Sequence, residues 1–239
     1  MDKTALITGA AKRIGKAIAA HLASQGWNIA IHYNTSDEEA KMFCDELSSR
    51  YPGQRFRIFA ANLSELSEVE KLIPDILTNF EKIDLLINNA SAFEPASIAD
   101  SSVEFLEKQM KINFMAPFIL CRDFSKYAES GNIVNFVDTR IVKNQSNFAV
   151  YSLSKKALWN LTKMAATEFG PAIRVNAIAP GLTLPPGDKD ESYLWKLADK
   201  IPMKRPGGVD PIIKSLDYIL ENEYLTGQIL YCDGGENLI

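Results

Sequence analysis

Cysteine is scarce: 239 residues contain Cys44, Cys121 and Cys232 alone, with no C-x-x-C pair. That argues against a disulfide framework or a cysteine-rich zinc site and fits a reducing compartment. Histidine is scarcer still, only His21 and His32, which makes a histidine-rich metal centre an unsuitable reading and leaves no metal expected. Charge of one sign is also missing. Lys and Arg total 26 against 30 Asp and Glu, a net charge of −4, with no long basic run, so a nucleic-acid surface is not expected. No apolar run approaches the ~20 residues of a membrane span. The first strand-like run begins at Lys3, which leaves no room for a signal peptide and makes a cytoplasmic protein the expectation. Repeats, linkers and low-complexity tracts are absent, so one domain over 1–239 is expected.

What is present is an alternation. Short apolar runs at 4–9, 27–33, 55–63, 83–90, 132–138, 173–181 and 227–235 read as strands. Between them, helical periodicity marks 14–26, 36–50, 64–80, a long stretch at 101–129, 148–169, a short piece near 193–200 and 209–221. Pro74 inside the third helix predicts a kink or break. The segment 182–208, rich in Pro, Gly and charge, is a candidate lid, with Leu184, Leu194 and Trp195 as apolar cover. Strand–helix alternation predicts an α/β fold, a single doubly wound parallel sheet of Rossmann type with helices on both faces. Such sheets bind ligands beyond the carboxyl ends of their strands. Those ends carry Thr8-Gly9, His32-Tyr33-Asn34, Asn62, Asn88-Asn89, Asp138 and Pro180-Gly181.

The turn "TGAAKRIG" (8–15) joins the first strand to the first helix. Gly9 permits a tight turn, Gly15 permits close packing, and the helix N-terminus offers free N–H groups to a pyrophosphate. Arg13 stands where a middle glycine might. After the second strand, "HYNTS" (32–36) holds no acid before Asp37. A carboxylate there would repel a 2′-phosphate, so its absence favours NADP over NAD, and Lys12 or Arg13 adds positive charge.

Further on, "VNFVDTRIVKNQSNFAVYSLSK" (134–155) ends in Tyr151-x-x-x-Lys155, with Asp138 thirteen positions before the tyrosine. With "TGAAKRIG", "NNA" (88–90), Asn113, "PG" (180–181) and "DGG" (233–235), the whole chain resembles the short-chain dehydrogenase/reductase family. The resemblance implies that Tyr151 is the proton donor. Lys155, one turn on, lowers the tyrosine from a reference pKa of about 10 and binds the nicotinamide ribose. Asn113 holds a relay water. Gly9, Arg13, Ile14, Gly15, His32, Tyr33, Asn34, Thr35, Ser36, Asn62, Leu63, Asn89, Ala90, Ser91, Pro180, Gly181 and Thr183, together with Tyr151 and Lys155, are the positions expected against the cofactor. A homotetramer paired through the helices at 101–129 and 148–169 is also implied.

Asp138 departs from the family, which has Ser or Thr there. An ionised Asp only accepts hydrogen bonds and is unfavourable beside a carbonyl becoming an alkoxide. Three readings are open: a catalytically dead relative, a protonated Asp138, or a substrate presenting N–H groups or a ring nitrogen that needs a proton. The last matches a subgroup. Arg13, "HYNTS", "NNASAF" (88–93) and Asp138 together resemble the pteridine reductases and the similar dihydromonapterin reductases. That resemblance implies NADPH-dependent reduction of a dihydropterin, such as dihydromonapterin, dihydrobiopterin or dihydrofolate. Arg13 would touch cofactor and pterin, Phe93 would stack on the pterin, Ser91 would hydrogen-bond it, and Asp138 with Tyr151 would deliver the proton. Thr35 stands where a trypanosomatid-type enzyme has Arg, and the C-terminus "ENLI" lacks the terminal Arg of some relatives. The alternatives are a carbonyl reductase acting on a 3-oxoacyl thioester, a sugar or a steroid, and a non-catalytic NADP-binding regulator.

Overall fold

The computed structural model describes residues 3–187 and 189–239; Asp188, inside the candidate lid, lies outside the described residues. Among the described residues, seven strands form one sheet: β1 (Thr4–Ile7), β2 (Asn28–Tyr33), β3 (Phe56–Ala60), β4 (Leu85–Asn88), β5 (Gly131–Phe136), β6 (Ile173–Pro180) and β7 (Ile229–Cys232). Their order is β3-β2-β1-β4-β5-β6-β7 and every neighbouring pair is parallel. The helices are α1 (Arg13–Ser24), α2 (Asp37–Arg50), α3 (Leu66–Leu77), α4 (Val103–Met110), α5 (Ala116–Tyr127), α6 (Ala149–Phe169), α7 (Glu191–Ala198) and α8 (Asp210–Glu221).

The period of two along β1 builds both cores. Ala5 and Ile7 face a cluster with Ile18 and Leu22 of α1, Phe43 of α2 and Ile212 of α8. Leu6 faces the opposite cluster, with Val69 and Ile73 of α3 and Leu120 and Phe124 of α5. Both faces are therefore covered, as a parallel sheet requires. The strand order reverses between β1 and β4, where Ile7 pairs with Ile87. A crevice opens there, between the loop after β1 and the loop after β4.

Two expectations change. Of the kink or break expected at Pro74, the break is excluded, since α3 runs on to Leu77. Only three residues follow the proline, and buried Val69, Leu72, Ile73 and Ile76 hold the helix on the sheet. The long helix at 101–129 contains a π turn, Lys111–Met115, where the Ala116 N–H bonds the Lys111 carbonyl. Pro117 has no N–H to offer the carbonyl of Asn113 four residues earlier, a local reason for the wider turn.

Candidate active site

The crevice is a cleft of about 350 Å³ lined by Gly9, Ala11, Lys12, Arg13, Ile14, Gly15, Tyr33, Asn34, Thr35, Ser36, Asn89, Ala90 and Ser91. Of the residues expected against a cofactor, eleven thus share one wall; Ala11 was not anticipated. Gly9 adopts φ +65 and approaches Ala90, and a Cβ on it would come within 3.3 Å of the Ala90 Cα. A Cβ on Gly15 would run into the Gly9 carbonyl and come within 2.7 Å of Asn89 Nδ2. Asn89 Nδ2 in turn donates to the Thr8 carbonyl at 2.8 Å, and Thr8 Oγ1 accepts from the Asn89 and Ala90 N–H groups at 2.9 and 3.0 Å. No side chain caps α1, so its first-turn N–H groups face the cleft without intrahelical partners. Arg13 holds φ +55, a left-handed conformation that usually favours glycine. Its Nη2 donates to the Leu184 carbonyl at 3.4 Å, reaching from the phosphate turn to the candidate lid.

At the far end of the cleft, Asn34, Thr35 and Ser36 present polar, uncharged side chains. The first acid, Asp37, is turned to the Tyr33 hydroxyl and Lys41, each 2.6 Å away. The Lys41 and Tyr33 hydrogen bonds hold its carboxyl below the ordinary range. Lys12 pairs with Glu39 at 2.6 Å.

Besides Tyr151 and Lys155, six residues expected at the cofactor do not line this cleft, each for a visible reason. His32 is buried: Nδ1 accepts the Gly9 N–H at 3.1 Å and Nε2 meets the Ala61 carbonyl at 3.0 Å. Those partners fix the neutral Nε2–H tautomer, and burial lowers its pKa to about 4. His32 therefore holds the glycine turn from behind. Asn62 accepts from the Ser64 N–H and hydroxyl and gives its own N–H to Glu68, so it organises the entry to α3, with Leu63 buried beside it. Gly181 donates to the Cys232 carbonyl and packs on Asp233, where a Cβ would meet the Asp233 Cα at 2.7 Å; Pro180 precedes it as the last residue of β6. Thr183 is buried and turns its hydroxyl back to the Gly181 carbonyl. In the candidate lid, Leu194 of α7 is buried, while Trp195 beside it is exposed.

The chemistry gathers beyond Ser91. Asp138 lies two residues past β5 and caps a short 3-10 turn, its Oδ1 accepting the Arg140 N–H at 2.8 Å. The Tyr151 hydroxyl donates to the other oxygen, Oδ2, at 2.8 Å. Asp138 is thus part-buried and occupied, not a solvated loop acid. Burial, and then the neighbouring Asp138 charge and hydrogen bond, push the Tyr151 phenol well above its ordinary range; Ser91 and Arg140 pull the other way without reversing it. Lys155 does not bring the tyrosine down here. Its Nζ donates to the Phe136 carbonyl at 2.8 Å, and it sits 5.9 Å from the Tyr151 ring centroid. Burial lowers the lysine itself to about 8.

Asn113, on the π turn, is fully buried and its amide is fully committed. Oδ1 accepts from Ser91 Oγ at 3.0 Å and from the Ala92 N–H at 2.9 Å; Nδ2 donates to the Ala92 carbonyl and to Gln109 Oε1. The side chain therefore holds the 91–93 loop and has no polar capacity left for a relay water, which leaves that expected role to the Asn113 main-chain carbonyl. Phe93 on that loop is 4.7 Å from Tyr151, edge to face, and stacks at 4.4 Å on Phe148. Phe148, Arg140 and Gln109 were not singled out from sequence. The i, i+4 spacing of Gln109 and Asn113 is a signal that could have found one of them.

Comparison with known proteins agrees with this geometry. The family model described as enoyl-(acyl carrier protein) reductase matches residues 9–237. The crystal structure of FolM alternative dihydrofolate reductase 1 from Brucella canis, complexed with NADP, superposes with a TM-score of 0.92 at 34% identity, over 99% of this chain and 95% of that one. Pteridine reductase 1 of Leishmania tarentolae is 28% identical over 98% of this chain and 96% of its own. 3-Oxoacyl-[acyl-carrier-protein] reductase FabG of Staphylococcus epidermidis is also 28% identical, over 98% and 99%. An oxidoreductase scaffold, an open cleft at the strand-order reversal and the Tyr151–Lys155 pair on α6 converge, and the chain belongs to the short-chain dehydrogenase/reductase family.

Proposed function

We propose that the protein is an NADPH-dependent reductase of a dihydropterin. The observation that carries this reading is the 2.8 Å hydrogen bond from Tyr151 to Asp138. It puts a carboxylate where carbonyl reduction calls for a neutral donor. A ring nitrogen that must gain a proton is well served by that arrangement. The FolM structures complexed with NADP and the pteridine reductase relative support it.

The cleft suits the cofactor: glycines that a Cβ would block, an uncapped helix N-terminus for the pyrophosphate, and uncharged Asn34, Thr35 and Ser36 beside Lys12 and Arg13 for a 2′-phosphate. NADPH, when bound, supplies the hydride that goes to a ring carbon. Lys155, cationic below about pH 8, holds the nicotinamide ribose. Tyr151 stays a neutral phenol and gives its proton to the adjacent ring nitrogen. The phenolate left behind takes a proton back from solvent by way of Asp138, the more exposed of the pair. Ser91 and Arg13 hydrogen-bond the ligand's polar edge, and Phe93 covers its face. Exposed Val103, Leu106, Phe118, Leu153 and Met164 on α4, α5 and α6 support pairing of copies through these helices, in the homotetramer that the resemblance implies; a cytoplasmic setting is expected from the cysteine usage.

The relatedness to FabG favours one second reading, a 3-oxoacyl reductase. NADPH oxidation by the purified protein separates the two. Turnover with dihydrobiopterin or dihydrofolate and none with a 3-oxoacyl thioester is expected. The reverse pattern overturns the pterin reading, and tight NADPH binding without turnover on either points to a regulator.

A further inference from the structure

Phe93 is an exposed aromatic on a loop, 53% accessible, yet its ring does not stand alone. It lies parallel to Phe148, with centroids 4.4 Å apart and planes 8° apart. The Arg140 guanidinium carbon is also 4.4 Å from the Phe148 centroid. Phe148 is thus held by two close partners, the Phe93 ring and the Arg140 guanidinium. Cation–π and offset-stacked contacts are both favourable.

The ends of the stack are tied to the catalytic loops. Arg140 gives its backbone N–H to Asp138 Oδ1 at 2.8 Å, and its Nη1 donates to Asn147 Oδ1 at 3.1 Å. On the other side, the Ala149 N–H bonds the Ala96 carbonyl at 3.0 Å, fastening the loop that carries Phe93 to the start of α6. Among the described residues, no carboxylate forms an ion pair with Arg140.

We infer that Phe148, held by Arg140, is a positioning residue for the substrate. It fixes the plane of Phe93, against whose other face a flat heteroaromatic ring is laid at a set angle to Tyr151. This rests on the proposed dihydropterin chemistry for its substrate, while its geometry can be tested without it.

Steady-state kinetics with dihydrobiopterin and NADPH, with NADPH affinity measured separately by fluorescence, test it on Phe148→Ala, Phe148→Tyr and Arg140→Met. The KM for the pterin should rise about 3- to 10-fold in Phe148→Ala, the range of one lost aromatic pair. Its kcat and NADPH affinity should stay within about 2-fold, Phe148→Tyr should restore KM, and Arg140→Met should fall between. A fall in kcat or NADPH affinity at unchanged pterin KM overturns the inference. A crystal structure of Phe148→Ala with NADPH is the arm independent of turnover: Phe93 should leave its present plane, and Phe93 unmoved overturns the inference. Absence of pterin turnover by the unmodified protein defeats the proposed function instead, and the stack is then judged on that crystal structure.

Discussion

Tyr151 and Asp138 are joined by a single 2.8 Å hydrogen bond in which the phenol donates and the carboxylate accepts. The other oxygen of Asp138 is held by the Arg140 backbone, so the acid is fixed at both ends. Replacement by serine keeps a hydroxyl for the Arg140 N–H but removes the acid. Asp138→Ser should lower dihydropterin turnover by about 10²-fold or more, the usual worth of a positioned proton-transfer group. NADPH affinity, measured by fluorescence titration, should change less than about 3-fold. Equal losses in both would make Asp138 a structural residue.

Lys155 carries a charge in a fully buried place and its pKa is lowered to about 8. In the unfolded chain the group titrates near 10.4, so the unfolded state holds the proton more tightly and stability rises with pH between these values. Below pH 8 the buried charge costs up to about 3 kcal/mol. Lys155→Met should therefore raise the urea midpoint at pH 7 while nearly abolishing turnover. A lowered midpoint would mean that the bond to the Phe136 carbonyl outweighs the burial cost.

His32 is neutral in the fold, with a pKa of about 4 against 6.5 when free. On acidification the unfolded chain takes up a proton below pH 6.5 that the folded one refuses until about 4. Its contribution is complete above pH 6.5 and lost as pH falls through that window, about 2 kcal/mol by pH 5. Urea unfolding at pH 7 and pH 5 should show this slope. His32→Gln should be less stable at pH 7 and lose less on acidification; an identical pH dependence in both proteins would remove the histidine from the account.

Gly15 has no room for a methyl group, since a Cβ would collide with the Gly9 carbonyl and Asn89 Nδ2. Gly15→Ala must move the phosphate turn. Overpacking of this kind costs about 1–3 kcal/mol. NADPH affinity should fall about 10-fold or more, with a lower Tm. Unchanged affinity would show that the cofactor does not lie on this turn.

Much of the site was legible because its signals are local. Gly9, Arg13 and Gly15 announce a strand–helix turn, and Tyr151 and Lys155 share a helix face by their spacing alone. Asp138 could be singled out because a carboxylate at the end of an apolar run is unusual. His32 was misread for the opposite reason: a polar residue at a strand end looks like a ligand. Only its contacts to Gly9 and Ala61 reveal that it faces inward. Asn113 could be noticed but not interpreted, because the use of its amide depends on a loop twenty residues away.

The alternation of apolar runs and amphipathic stretches determined the α/β class and the parallel sheet, since period and burial are properties of the chain itself. The same chain order placed the polar strand ends on one edge. Tertiary structure alone decided which of them face the cleft. It turned His32, Asn62 and Thr183 to internal partners and used up every polar atom of the Asn113 side chain. It also raised Tyr151 where an adjacent lysine would suggest the reverse, because burial and a carboxylate at 2.8 Å act over distances that sequence spacing does not encode.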